Sequence, residues 1–268
     1  MKATIMIARF PGSNQEHPES TDLYVDLLRR ADKDPRVDQV LLWKMADTPI
    51  TMSRNRCVRE AIQAGVDFLF MIDSDMGRMG GQKPFYDVAM DFLFRRETPA
   101  IIASPYCGPP PQSCVYVFAW HNHQNPEMHV GEDFHLRMFD RHEVANRAGI
   151  EEVAALPTGL IAIDMRLFTG FISPKTGQKT QLPPPWFEYE WTDKFQTHKA
   201  STEDVYFSRN ASLLGCPNYV AWDCWSTHHK EAAVTKPINM TVADVSKEYF
   251  DAAARPSDTL LMLPPKRA

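Results

Sequence analysis

The sequence predicts one α/β domain on a mostly parallel central sheet flanked by helices. The chain has 268 residues, 44% of them hydrophobic, enough to bury one sizeable core. Short, continuous apolar runs alternate with amphipathic stretches from the amino terminus onward, and three such strand-helix units lie between Thr4 and Phe94. That rhythm belongs to parallel sheets covered on both faces.

Thr4 to Ala8 reads as a buried strand ending in the breaker-rich Arg9-Phe10-Pro11-Gly12. Ser20 or Thr21 can cap a helix carrying Leu23, Leu27 and Leu28 on one side. Val37 to Trp43 is a second strand, Met52 to Ala64 a second helix and Asp67 to Ile72 a third strand. A helix near Pro84 to Phe94 and a strand near Ala100 to Ser104 follow. The pattern then breaks: Tyr106 to Gly149 is rich in Pro, His and Asn, with a hairpin or edge strand expected at Cys114 to Ala119. Order returns with a strand at Gly159 to Asp164, a proline-rich loop at Leu182 to Trp186, a helix at Thr202 to Leu214 and a strand at Tyr219 to Trp222. An amphipathic helix near Val242 to Ala254 and a frayed tail close the chain.

Composition narrows the function classes. A net charge of −5 and a pI near 6.0 argue against a groove that tracks nucleic-acid phosphates. The apolar part of the amino terminus is too short, and too soon interrupted by Arg9, for a signal peptide or a membrane span, so a cytoplasmic location is expected. Five cysteines without a CxxC pair read as reduced packing residues.

The chemistry concentrates at Asp73-Ser74-Asp75, delivered by Phe68 to Ile72 to the carboxyl end of a buried strand, the edge where open α/β sheets bind ligands. Two carboxylates one residue apart repel in a partly dry cleft, and a hard divalent cation offsets that repulsion. Solvated turn-forming before Gly77 is the simpler alternative. His121, His123, His129 and His135 lack the regular spacing that holds a metal and read as loop.

The stretch Met52 to Met76, MSRNRCVREAIQAGVDFLFMIDSDM, resembles the nucleotide-binding half of GT-A-fold glycosyltransferases, with an Arg-Asn pair opening a helix and a strand ending in a DxD motif. Thr158 to Asp164 resembles that family's small-residue turn into a central strand, Glu203-Asp204 its acidic pair, and Tyr219 to His229 its closing strand and histidine. The resemblance covers about Lys2 to Ser104 and Ala155 to Lys230, and departs from the family at Pro183-Pro184-Pro185.

It implies a transferase moving a sugar from a nucleoside-diphosphate-sugar, foremost a UDP-sugar, to a carbohydrate or other hydroxyl-bearing acceptor, with Mn2+ or Mg2+ as cofactor. The metal would be held by Asp73, Asp75 and His228, with His229 open as the alternative. The donor would lie against Ala8, Arg9, Arg54, Asn55, Asp73, Ser74, Asp75 and Gly159, where glycine lets the backbone approach. Asp204 is the candidate base and Glu203 its supporting acceptor ligand or the base itself, while Trp186 could stack on an acceptor sugar. Residues 1–236 would then form one catalytic domain, with a nucleotide-binding half at 1–104, an acceptor-side insertion at 105–154 and an acceptor and metal-closing half at 155–236. A carboxy-terminal helix and tail would occupy 237–268. Sugar nucleotidyl transfer, and a non-catalytic nucleotide-sugar-binding module on the same scaffold, are the competing readings; dehalogenase-type phosphatases carry Asp-x-Asp after an amino-terminal strand, whereas here it follows the third.

Overall fold

The computed structural model describes residues 2–11, 17–45, 49–108, 114–120, 136–191, 199–229 and 233–234. The four-histidine stretch and the expected carboxy-terminal helix lie outside them. The first half runs β1 (Ala3–Phe10), α1 (Pro18–Lys33), β2 (Val37–Lys44), α2 (Ile50–Gln63), β3 (Phe68–Asp73), β4 (Met76–Arg78), α3 (Phe85–Leu93) and β5 (Ile101–Ala103). The middle adds β6 (Val115–Trp120), β7 (Leu136–Phe139), α4 (Arg141–Val144) and β8 (Ile150–Val153). The last part comprises β9 (Leu160–Asp164), α5 (Arg166–Thr169), β10 (Phe171–Ile172), β11 (Lys179–Thr180), β12 (Glu190–Trp191), β13 (Lys199–Ser201), α6 (Glu203–Leu213), β14 (Asn218–Ala221), β15 (Ser226–His229) and β16 (Ala233–Val234).

Seven strands form the central sheet in the order β2-β1-β3-β9-β5-β14-β8. β2, β1, β3, β5 and β14 run one way, while β9 and β8 pair antiparallel with their neighbours. The sheet is therefore mixed, mostly parallel in direction, and β9 threads its middle in reverse. Alternation along the strands divides the core into two layers. Met6, Ala8, Leu69, Met71, Ile161 and Ile163 face α2, α5 and α6, which contribute Cys57, Val58, Phe168 and Phe207. Ile5, Ile7, Phe70, Ile72 and Ala162 face α1 and α3, which contribute Leu23, Leu27, Tyr86 and Met90. Each large side chain buried this way stabilises the fold by about 1.5–3 kcal/mol.

Several boundaries differ from expectation for local reasons. His17, not Ser20 or Thr21, caps α1, its Nδ1 accepting the Glu19 N–H at 3.3 Å. Ser20 lies inside the helix, where its hydroxyl donates to the Asp73 carbonyl at 3.3 Å. α2 starts at Ile50 behind Pro49, so Arg54 and Asn55 sit one turn inside rather than at its opening. The expected hairpin exists as β6 paired with β7. All five cysteines are free thiols, and only Cys114 is not fully buried. No helix among the described residues is long and apolar enough to cross a membrane.

A cavity of about 400 Å3 opens at the sheet edge beside Ala3, Phe68, Asp164 and Arg166. That is the edge opposite Asp73. On its wall, Arg166 holds the Asp164 carboxylate through Nε and one Nη and donates to the carbonyls of Arg96 and Glu97.

Candidate active site

At the other edge, β1 and β3 end in register, with Phe10 opposite Asp73. Antiparallel β9 starts there, and the Asp73 N–H donates to the Gly159 carbonyl at 2.8 Å. Ala8, fully buried, pairs with Met71 and Trp43, so it reaches this edge only through its backbone. Arg9 turns toward α1, donating to the Thr21 hydroxyl at 3.2 Å with its guanidinium 4.4 Å from the Tyr24 ring centre.

Arg54 is the centre of the acidic cluster. It is only 2% exposed, and one Nη donates to both Asp73 oxygens at 3.0 and 2.9 Å while the other donates to Glu203 Oε1 at 2.9 Å. The rings of Phe10 and Phe187 lie 5.9 Å away on either hand and keep water out. Burial alone would lower the Arg54 pKa, but the carboxylates of Asp73, Asp204 and Glu203 outweigh it and hold the group above its ordinary value. Glu203 and Asp204 are the first two residues of α6, where the helix dipole favours negative charge. Burial, then the neighbouring Glu203 carboxylate, raises the Asp204 pKa to about 7. Burial likewise raises that of Asp73, against the pull of Arg54.

Ser74 and Asp75 form the turn from β3 into β4, and β4 pairs antiparallel with β15 so that His228 stands opposite Met76. This register sets His228 Nε2 3.2 Å from Asp75 Oδ2. Its Nδ1 lies 3.0 Å from the Cys107 carbonyl; a carbonyl only accepts, so Nδ1 carries the proton and donates. His229 points to the opposite face, as strand alternation requires. There its Nε2 is 2.8 Å from Glu19 Oε2 and its ring stacks on His17 at 3.7 Å. The two histidines that the sequence leaves open thus separate, His228 beside Asp75 and His229 against α1.

A divalent cation fits this edge in part. An imidazole whose Nδ1–H is held by a backbone carbonyl presents Nε2 next to a carboxylate, the arrangement metal-binding histidines use. Asp73 stands apart, both its oxygens being engaged by Arg54. Among the described residues no three His, Cys, Asp or Glu side chains converge closely enough to hold a metal. The protein side of such a site is therefore Asp75 and His228, and the remaining coordination positions would fall to ligand oxygens and water.

Asn55 and Trp186 serve the surrounding loop. The Asn55 amide donates to the carbonyls of Thr51 and Phe187, both at 2.8 Å, and accepts the N–H groups of Trp186 and Phe187 at 2.8 and 3.1 Å. Trp186, expected as a stacking face for an acceptor, is instead a core residue: its indole N–H donates to Leu182 O at 2.9 Å and its ring packs edge-on against Phe168.

Tyr106 was not singled out by the sequence, although it follows a strand ending at the same edge. Buried between Gly159 and His228, it has its phenol pKa raised by burial and then by the Asp204 and Asp73 carboxylates.

No family model matches the chain, and no curated protein matches it. Among solved structures the chain is similar to the one titled "Crystal Structure of A197 from STIV", at a TM-score of 0.48 and 15% identity, over 92% of this chain and 98% of that one.

Proposed function

We propose that this chain is a divalent-metal-dependent glycosyltransferase that uses a nucleoside-diphosphate-sugar, with a UDP-sugar foremost, and a hydroxyl-bearing acceptor. The observation that carries this reading is the joint placement of Asp75 with His228 and of Asp204 with the Arg54 cluster on one sheet edge. A bound Mn2+ or Mg2+ would supply charge neutralisation for a departing nucleoside diphosphate.

The chain's own residues would do the rest. Asp75 and His228 form the protein side of the cation site. Arg54 holds the side chains of Asp73 and Glu203 in place, which leaves Asp204 as the carboxylate to act as base in an inverting transfer. Asp204 takes the proton from the acceptor hydroxyl as its oxygen bonds to the anomeric carbon, and the bond from that carbon to the diphosphate oxygen breaks with its electron pair on the phosphate. A base with a pKa near the working pH suits this step, and its position at the amino end of α6 keeps it on the ligand-binding edge.

The test is release of nucleoside diphosphate from a panel of nucleotide-sugars in Mn2+. Slow, Mn2+-dependent release by the wild type, lost in Asp204→Asn with nucleotide binding retained, supports the transferase. Nucleotide-sugar binding without release under any acceptor would make the protein a binding module instead.

A further inference from the structure

We propose that Tyr106 is a positioning residue: its ring holds the His228 imidazole facing Asp75, and residue 159 is a glycine because that ring fills the place its side chain would take. The inference deepens the proposed function, resting on Asp75 and His228 as the protein side of a cation site.

A histidine near the end of a short strand can turn about two side-chain bonds, and one hydrogen bond leaves much of that freedom. Here two restraints come from one segment, Tyr106 and Cys107, and a third, a ring, comes from β6. The Cys107 carbonyl takes the Nδ1 proton at 3.0 Å and fixes one direction in the ring plane. The neighbouring Tyr106 ring lies 4.8 Å from the imidazole, tilted by 57°, and blocks its rotation out of that plane. Tyr116, on β6, backs both rings edge-on, 5.5 Å from Tyr106 and 6.1 Å from His228.

The segment bearing Tyr106 and Cys107 is tied to the strand it restrains. The Ser226 N–H donates to Pro105 O at 3.0 Å, and the Ser104 hydroxyl meets the Cys224 carbonyl at 2.5 Å and the Ser226 hydroxyl at 2.6 Å. Ser104 and Ser226 are both buried, so these bonds exchange little with water.

Gly159 supplies the independent observation. A Cβ there would come within 2.8 Å of Tyr106 Cε1, 2.9 Å of its Cζ and 2.8 Å of Met76 Sδ. The constraint is steric: the space is filled by the Tyr106 ring and the end of the Met76 side chain, and the Gly159 carbonyl is at the same time bonded to the Asp73 N–H. One aromatic ring thus connects the start of β9, next to Asp73, with the imidazole next to Asp75.

The experiment reads the imidazole directly, in the full chain without ligand, by 15N NMR of the histidine side chains, with His228 assigned from His228→Gln. The wild type should show one fixed pair of nitrogen shifts for His228, with the Nδ1 proton held by the Cys107 carbonyl. Tyr106→Phe should keep it. Tyr106→Leu should give averaged nitrogen shifts and weaken Mn2+ binding, followed by electron paramagnetic resonance, by about ten-fold or more, the usual cost of losing a group that orients a ligand. Gly159→Ala, which removes no core side chain, should reproduce the Leu phenotype, and should add less to it in the double variant, where only the contact with the flexible end of Met76 remains.

The same fixed nitrogen shifts with unaltered Mn2+ affinity in Tyr106→Leu would overturn the proposal, as would equal penalties for Gly159→Ala with and without the Tyr106 ring. If the wild type takes up no Mn2+, the cation reading fails, and the nitrogen shifts still decide whether Tyr106 holds the ring.

Discussion

Arg54 grips both oxygens of Asp73 with one nitrogen, at 3.0 and 2.9 Å, and reaches Glu203 with the other. The two carboxylates come from opposite halves of the chain, so a single buried cation joins the end of β3 to the start of α6. Removing a partner from such a cluster leaves uncompensated charge in a dry place. Arg54→Met should therefore destabilise the protein by about 3–5 kcal/mol, read by urea unfolding. Adding Asp73→Asn and Glu203→Gln to that variant should restore much of the loss. No recovery would mean that packing against Phe10 and Phe187, rather than charge, is what Arg54 contributes.

Asp204 makes the site sensitive to pH. Its pKa is raised in the fold to about 7 by burial and by Glu203, from an ordinary value of about 4. The protonated form is thus the one the fold favours: the stabilisation is full below the ordinary value and is lost as pH rises through about 7. Thermal melting should show Asp204→Asn more stable than the wild type at pH 8, with the difference shrinking toward pH 4. Transfer should show the opposite slope, rising with pH as the carboxylate ionises, and Asp204→Asn should lower the rate by about 100- to 10,000-fold. A rate that is flat across pH 5 to 8 would remove Asp204 as the base.

Asn55 holds two backbone N–H groups and a carbonyl of the loop at Trp186 and Phe187. Asn55→Ala strands those groups and should cost about 1–3 kcal/mol. Hydrogen exchange at the amides of residues 186 and 187 should quicken more than elsewhere if the bonds hold the loop.

Trp186 turns its ring from that loop into the core, so Trp186→Ala should act through stability, by about 3–5 kcal/mol for an emptied aromatic site. Chemical unfolding measures the loss. A stable variant with only a raised KM for acceptor would instead return Trp186 to the ligand surface.

Much of this architecture is legible in the residues. β1, β3 and β9 stand out as uninterrupted apolar runs because both faces of the sheet are covered, and the helices between them show their apolar stripes. The reversal of β9 is not visible, because strand direction is decided by which neighbours it pairs with, not by its own side-chain pattern. The acidic turn after β3 is equally plain, since breaking a five-residue apolar run with two aspartates announces a strand end. Its partners are harder. His228 and His229 are adjacent in sequence and only the register of β15 against β4 sends them to different sides. Arg54 and Glu203 are 149 residues apart, and nothing local to either marks the pair. Trp186 misleads for the reverse reason: an aromatic in a proline-rich loop reads as exposed until the loop folds back onto α2.

The central claim is that Asp75 and His228 hold a cation for a nucleoside diphosphate, and titration calorimetry of UDP into the protein, with Mn2+ and with a chelator, tests it most directly. UDP binding should require Mn2+ and be lost in Asp75→Asn and in His228→Ala, with melting in chelator showing both variants folded. Equal UDP affinity in Mn2+ and in chelator, or affinity unaltered by Asp75→Asn, would contradict it.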